Sequence, residues 1–174
     1  ATADQGYAIV RLDSCGNPKI INCTIVHNHG RGVYYDDDHT ITIANSILRT
    51  ARSGETLDVV VVSADDGKAE ISSCCLAQTG LGGANNIVAD PRFFDPAAGE
   101  FSLLSDSPCI DAADGLWLPA TDLNRISRND YPGMGNTGTG TPPYGDMGCY
   151  EFGDSDLDGL SDAWELQHFL DLSH

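Results

Sequence analysis

The chain has 174 residues and a mass of 18.5 kDa, and its 26 acidic residues against 9 Lys and Arg give a formal charge of −17 and a pI near 4.2. A surface that negative repels phosphate backbones and anionic lipid, which argues against nucleic-acid and peripheral-membrane roles. Hydrophobic residues make up 41 %, enough for a core. No apolar run approaches the roughly 20 residues of a membrane helix, and Ala1 starts no signal peptide, so the chain reads as a mature or excised piece.

From residue 6 to residue 80 the sequence alternates short β-branched runs with Gly, Asn and Asp. The runs are YAIVRL, KIINCTIV, GVYY, TITIANSIL, LDVVVVS and AEISSCCL. They are too short for helices and rich in Val, Ile, Thr and Tyr, so they predict strands. Ile20–Val26, Ile41–Leu48 and Glu70–Leu76 share the form Ile-x-Asn/Ser-Cys/Ser-x-Ile/Leu. Setting Asn22 on Asn45 on Ser73 gives offsets of 23 and 28 residues, and it stacks Ile20 on Ile43 on Ile71 and Ile25 on Leu48 on Leu76. Periods of this size signal solenoids, whose turns stack at the ordinary strand spacing. In that picture the Ile and Leu columns fill an interior. Asn22 and Asn45 bond amide to amide at a bend, with Ser73 closing the ladder. An antiparallel sandwich is the alternative, and three matched columns argue against it.

Six cysteines, at positions 15, 23, 74, 75, 109 and 149, include no CxxC and no zinc-finger spacing. Their even number in a Lys-poor chain leans towards an oxidising, extracellular setting; small buried thiols are the other reading. Cys23 and Cys74 share a column with Ser46 between them, hence about 9.6 Å apart, beyond the reach of a disulfide.

The repeats, followed by NNIVADPRFFDPAAGEFSLLSDSPCIDAAD, LPATDLNR and YGDMGCYEF, resemble the right-handed parallel β-helix repeat proteins of bacterial surfaces and secreted polysaccharide-active enzymes. The later segment looks like their closing choice-of-anchor module. The resemblance implies an all-β, right-handed parallel β-helix over 1–84, a loop-rich capping module over 85–152, and a separate tail over 153–174. Phe93, Phe94, Phe101, Leu103 and Leu104 would cover the open solenoid end, and MGCYEF would be a last strand. Residues 124–145 read as a long ordered loop. The resemblance also implies that Cys109 and Cys149 pair, a bridge worth roughly 3–4 kcal/mol in the chain-entropy model.

DSDLDGLSDAWE, residues 154–165, matches D-x-[DN]-x-[DN]-G-x5-E at every specified position. Calcium takes six to eight oxygens, and this spacing supplies them from one loop. Asp154, Asp156 and Asp158 are the carboxylates at loop positions 1, 3 and 5, and Gly159 makes the turn. Leu160 offers its carbonyl, Asp162 acts directly or through water, and Glu165 closes the set with two oxygens. No incoming helix precedes the loop, and Ser161 replaces the usual aliphatic residue, so the form is closer to thrombospondin-type and dockerin-like loops. An outgoing helix is predicted over 162–172, with Leu166, Phe169 and Leu170 on its apolar side and Trp164 at the margin. A solvated acidic tail is the plainer alternative.

The remaining polar cluster is His27, His29, Arg31, Asp36, Asp37, Asp38 and His39. Its order is the reverse of the galacturonan hydrolases, and three consecutive acids read better as a turn than as a catalytic set. His27-x-His29 is a weak zinc signal. Asn22-Cys23-Thr24 is a glycosylation sequon, but an inward Asn22 makes it a poor acceptor. These readings give a secreted or cell-surface structural or adhesive module stabilised by calcium. Such a module could self-associate, form a fibre, or continue upstream rungs of a longer chain. The alternative is the C-terminal part of a polysaccharide-binding or polysaccharide-cleaving enzyme.

Overall fold

The computed structural model of the chain describes residues 8–13, 15–28, 31–36, 38–50, 59–61, 68–77, 79–156 and 158–169. The predicted runs become strands, and the longer ones split at their Asn or Ser. KIINCTIV gives β2 (Lys19–Ile21) and β3 (Thr24–Asn28), after β1 (Ala8–Asp13). GVYY gives β4 (Arg31–Asp36), and TITIANSIL gives β5 (Thr40–Ala44) and β6 (Ile47–Thr50). LDVVVVS gives β7 (Val59–Val61), and AEISSCCL gives β8 (Lys68–Ser72) and β9 (Cys75–Leu76).

Each of the strands β1 to β6 pairs in parallel with the third one after it, forming sheets β1-β4-β7, β2-β5-β8 and β3-β6-β9. The predicted columns are in register: Ile20 opposite Ile43 opposite Ile71, and Ile25 opposite Leu48 opposite Leu76. The fold is all-β, but the right-handed parallel β-helix is corrected. The strands form short open groups, three strands wide in the parallel sheets, and no closed or solenoid sheet is formed among the described residues. Beyond the two-residue β9, among the described residues, Ile87 continues the ladder as an isolated bridge to Cys75.

Side-chain alternation along the strands sorts residues into two cores. Ile20, Val33, Tyr35, Ile41, Ile43, Leu48, Ile71, Cys74 and Leu76 fill the space between the parallel sheets. Their neighbours Ile47 and Cys75 point the other way, into a second core with Leu103, Cys109, Ile110, Tyr131, Met147 and Phe152. That second core is built by the antiparallel hairpin of β10 (Phe93–Asp95) and β11 (Glu100–Leu103) and by the irregular segment after it. Residues 124–145 contain no strand or helix, as expected. MGCYEF is not a strand: Met147 and Gly148 donate their N–H groups to Cys109 O and Asn45 O, and the chain turns through bends.

The corners carry the polar ladder. Asn22, Asn45 and Ser73 have φ of 48°, 51° and 49°, left-handed values that Asn tolerates better than most residues. Asn45 Nδ2 donates to Asn22 Oδ1 at 3.2 Å, the predicted amide-to-amide bond. Ser73 does not close the ladder, because its buried Oγ has no hydrogen-bond partner. The amides turn instead to the C-terminal half. Asn45 donates to Asp114 O and accepts from Asp114 N, while Asn22 donates to Asp146 O and Gly148 O.

Asn45→Leu removes these bonds, leaves the Asp114 N–H unpaired while Asp114 O keeps its bond from Trp117 N, and places a bulky side chain at a left-handed φ. The expected loss is at least about 3 kcal/mol in urea unfolding. Asn17→Ala, which removes one exposed bond to Thr40 N, should cost no more than about 1 kcal/mol. Equal losses from the two would refute this role for Asn45.

Candidate metal centre

The acidic loop is seated on a frame of buried carboxylates. Asp146 is 1 % exposed, and its two oxygens accept from Asp111 N at 2.9 Å and Phe152 N at 2.6 Å. Glu151 accepts from Asn129 N and Asp146 N, and pairs with buried Arg128 at 2.6 Å. Asp122 accepts from Ile126 N and Glu151 N. These acids take the place of a sheet: backbone donors that have no strand partner are satisfied by carboxylates. Burial pushes Asp146 well above the usual carboxylate range, and the Glu151 charge adds to it. Asp111 is pushed up to about 6, chiefly by burial.

Tyr131 links this frame to the loop. Its N–H donates to Asp111 Oδ2, its ring stands edge-on to Phe152 at 4.8 Å, and its hydroxyl donates to Asp154 Oδ2 at 3.4 Å. Asp154 is therefore held from below. From above, Asp158 N and Gly159 N donate to its two oxygens. Gly159 has φ of 96°, which permits the sharp turn anticipated at that position. Leu160 N donates to Asp158 Oδ1 at 2.7 Å. The result is that carboxylate oxygens of Asp154, Asp156 and Asp158 all lie within 4.8 Å of one another.

The helix α1 (Asp162–His168) follows, shorter among the described residues than predicted. Buried Ser161 caps it, accepting from Trp164 N. The expected apolar side is corrected: Leu166 and Phe169 are exposed, and Leu170 lies outside the described residues. Trp164 instead packs on Phe94 at 5.1 Å, anchoring the tail to the hairpin, with His168 stacked on its indole at 4.2 Å. Glu165, on the next position, is 0 % exposed, and neither of its carboxylate oxygens has a hydrogen-bond partner. Burial raises its pKa, and the charges of Asp156, Asp158, Asp162 and Asp154 raise it further.

A buried carboxylate without a donor is stabilised only by a proton or by a cation. The donors gathered here are all oxygens, the set that suits a hard divalent ion. Asp154, Asp156 and Asp158 bring together oxygens of the kind a metal would take, while Glu165 lies outside that cluster of three. Asp162 does not join the cluster of three. Its two oxygens accept from Ser155 N and Ser155 Oγ, both at 2.7 Å, so that it clasps the loop shut.

The other candidates fall elsewhere. His27 is exposed on β3, edge-on to Phe101 at 5.4 Å, beside a cavity of about 560 Å³ that Arg49 and Arg92 also line. His39 pairs with Asp38 at the surface. His29 and Asp37 lie outside the described residues. The Cys109–Cys149 bridge is corrected: all six cysteines are thiols, Cys109 lies against Cys75, and the Cys149 N–H donates to Thr24 Oγ1 at 3.1 Å. The cap aromatics gather in the hairpin, where Phe93 and Phe101 meet edge-on at 5.4 Å. Sequence reasoning missed the buried acids. Their signal is an acid set among apolar neighbours, as in Ile-Asp111-Ala, Asp146-Met and Tyr-Glu151-Phe.

Asp111 sets a pH dependence. Between its unfolded value of 3.8 and about 6, the folded chain holds a proton that the unfolded chain has released. Its contribution to stability is therefore complete below about pH 4 and is lost as pH rises through 6. Melts of the cation-free protein from pH 4 to 7 should show a smaller decline for Asp111→Asn than for the parent. Parallel curves would contradict the shift.

No helix among the described residues is long and apolar enough to cross a membrane. The chain matches no family model, no curated protein and no solved structure. Together with the open three-stranded sheets, this overturns membership of the β-helix repeat family and of its choice-of-anchor group.

Proposed function

We propose that the protein is a secreted or cell-surface structural or adhesive module, without catalysis of its own, whose acidic tail is ordered by calcium. The observation that carries this reading is Glu165, buried with both oxygens unpartnered beside three converging aspartates. Asp154, Asp156 and Asp158 supply one oxygen each, Leu160 its carbonyl and Glu165 two, which reaches the lower end of the six to eight that calcium takes. Magnesium prefers stricter octahedral geometry and retains its water, so it is the weaker candidate for a cage built so largely of protein oxygen.

With the charges of this loop balanced, α1 stays capped by Ser161 and docked through Trp164 on Phe94. The tail then becomes part of the second core's wall. Without balance, the carboxylates repel one another, and no Lys or Arg occurs after Arg128 to offset them. Extracellular modules bind calcium at about 10⁻⁴–10⁻³ M, the range in which a purely structural site is kept filled outside the cell. The acidic, Lys-poor composition supports that setting. Copies of this chain or an extracellular polysaccharide are the partners such a module would hold.

Calcium at about a hundred times its Kd should stabilise the protein by about 2.7 kcal/mol, reversed by EDTA. Terbium, as a calcium substitute, should give luminescence sensitised by Trp164 and be displaced by calcium. Glu165→Gln should raise the stability of the cation-free protein, since it removes a buried charge, and weaken calcium binding about tenfold or more. A melt indifferent to both calcium and EDTA, with no terbium signal, would rule the site out.

A further inference from the structure

We propose that Cys75 and Cys109 are a disulfide pair: the folded chain brings the two sulfurs together, and oxidation joins β9 to the segment that follows the β10–β11 hairpin. Both residues are 0 % exposed and belong to the same apolar cluster. Their meeting is fixed from both sides. Cys75 is held in register opposite Ile47 and bridges Ile87, and its Sγ lies 3.4 Å from Ala89 O. Two residues on, Pro91 O accepts from Ser107 Oγ at 2.7 Å, and the same Oγ accepts from Cys109 N at 3.1 Å. Cys109 O accepts in turn from Met147 N at 3.0 Å. Within this frame the two side chains pack in one apolar cluster.

The other cysteines are poor competitors. Cys74 points into the core between the parallel sheets, with its Sγ bonded to Ser72 O at 3.2 Å. Cys149 borders a different cavity, together with Cys23 and Thr24. Cys15 is exposed. Cys74, just before β9, thus faces one core and Cys75 the other, which leaves Cys75 as the partner.

The contact with Cys75 and burial raise the Cys109 thiol far above the usual range, so it is a poor nucleophile once folded. Both residues are closed off from solvent in the folded chain, so the bond forms while the chain folds, and the closed core then shields it from reductants. The oxidant is a small-molecule or enzyme disulfide of an oxidising compartment, and in this respect the proposal rests on the extracellular reading. One cysteine thiolate attacks the oxidant's disulfide, making a mixed disulfide and releasing one thiolate. The second cysteine thiolate displaces the other half. Two cysteine sulfurs are oxidised, the oxidant's disulfide is reduced, and the two protein protons end on its thiols.

The test uses the full chain, refolded from denaturant in a buffer of reduced and oxidised glutathione. It is then denatured, alkylated and digested without reductant. Tandem mass spectrometry should find Cys75 linked to Cys109, with Cys74 in the same peptide carrying the alkyl label, and the link should vanish on reduction. Recovery of both Cys75 and Cys109 as alkylated thiols, or of Cys109 linked to any other cysteine, would overturn the proposal. As a second readout, reductant should lower the melting temperature of the parent and leave the Cys75→Ala/Cys109→Ala variant unchanged; an equal shift in both would count against the pair. Because the oxidant is supplied, this result is independent of where the protein resides. Calcium binding is read separately, on the reduced chain.

Discussion

The side chain of Asn45 is the constraint on which the two halves of the molecule depend. It is fully buried at a corner whose left-handed φ most residues resist, and it uses both ends of its amide. One bond reaches back to Asn22 in the neighbouring corner, and two reach Asp114 in the irregular half. Its own carbonyl accepts from Gly148 N at 2.7 Å. A buried amide left unpaired is costly, so this single position couples the register of the parallel sheets to the path of residues 111–149. Hydrophobic burial supplies most of the driving force, but it is non-directional and would not by itself choose that path.

The C-terminal half solves a different problem. It has little regular secondary structure, so its buried N–H groups need other acceptors. Asp111, Asp122, Asp146 and Glu151 provide them, and Arg128 offsets part of their charge. Carboxylates accept at two oxygens and can serve two backbone groups each, which an apolar residue or an amide at these positions would do less well. The cost is a core crowded with negative charge, visible in the raised values of Asp111 and Asp146. The same chemistry continues outward through Tyr131 to Asp154, so the frame and the loop are one polar system rather than two.

The first half was largely legible in the sequence. Runs of Val, Ile and Thr broken by Asn give strands with corners, and the matched columns Ile20-Ile43-Ile71 and Ile25-Leu48-Leu76 specify the register of the parallel pairs. The extrapolation to a continuing solenoid failed because matched columns fix pairing between three segments and say nothing of closure beyond them. MGCYEF misled because its apolar pattern is that of a strand, while its N–H groups find carbonyl and carboxylate partners instead. The cluster at Asp154, Asp156 and Asp158 was legible from spacing alone. The burial of Glu165 and the exposure of Leu166 were not. A seven-residue helix docked by one tryptophan follows the position of its neighbour Phe94, not its own periodicity. Cys109 could not be matched to its neighbour by spacing, since proximity here depends on the strap from Ala89 to Ser107.

The clasp between Asp162 and Ser155 has a consequence for the proposed calcium site. Two short bonds tie Ser155, near the start of the loop, to Asp162, the first residue of α1, so an ion entering the loop would meet a chain pinned at both ends. Choice between ions of like charge would then fall to the aperture among the aspartates. Lengthening or shortening that one contact would retune the aperture without touching any atom that meets the ion.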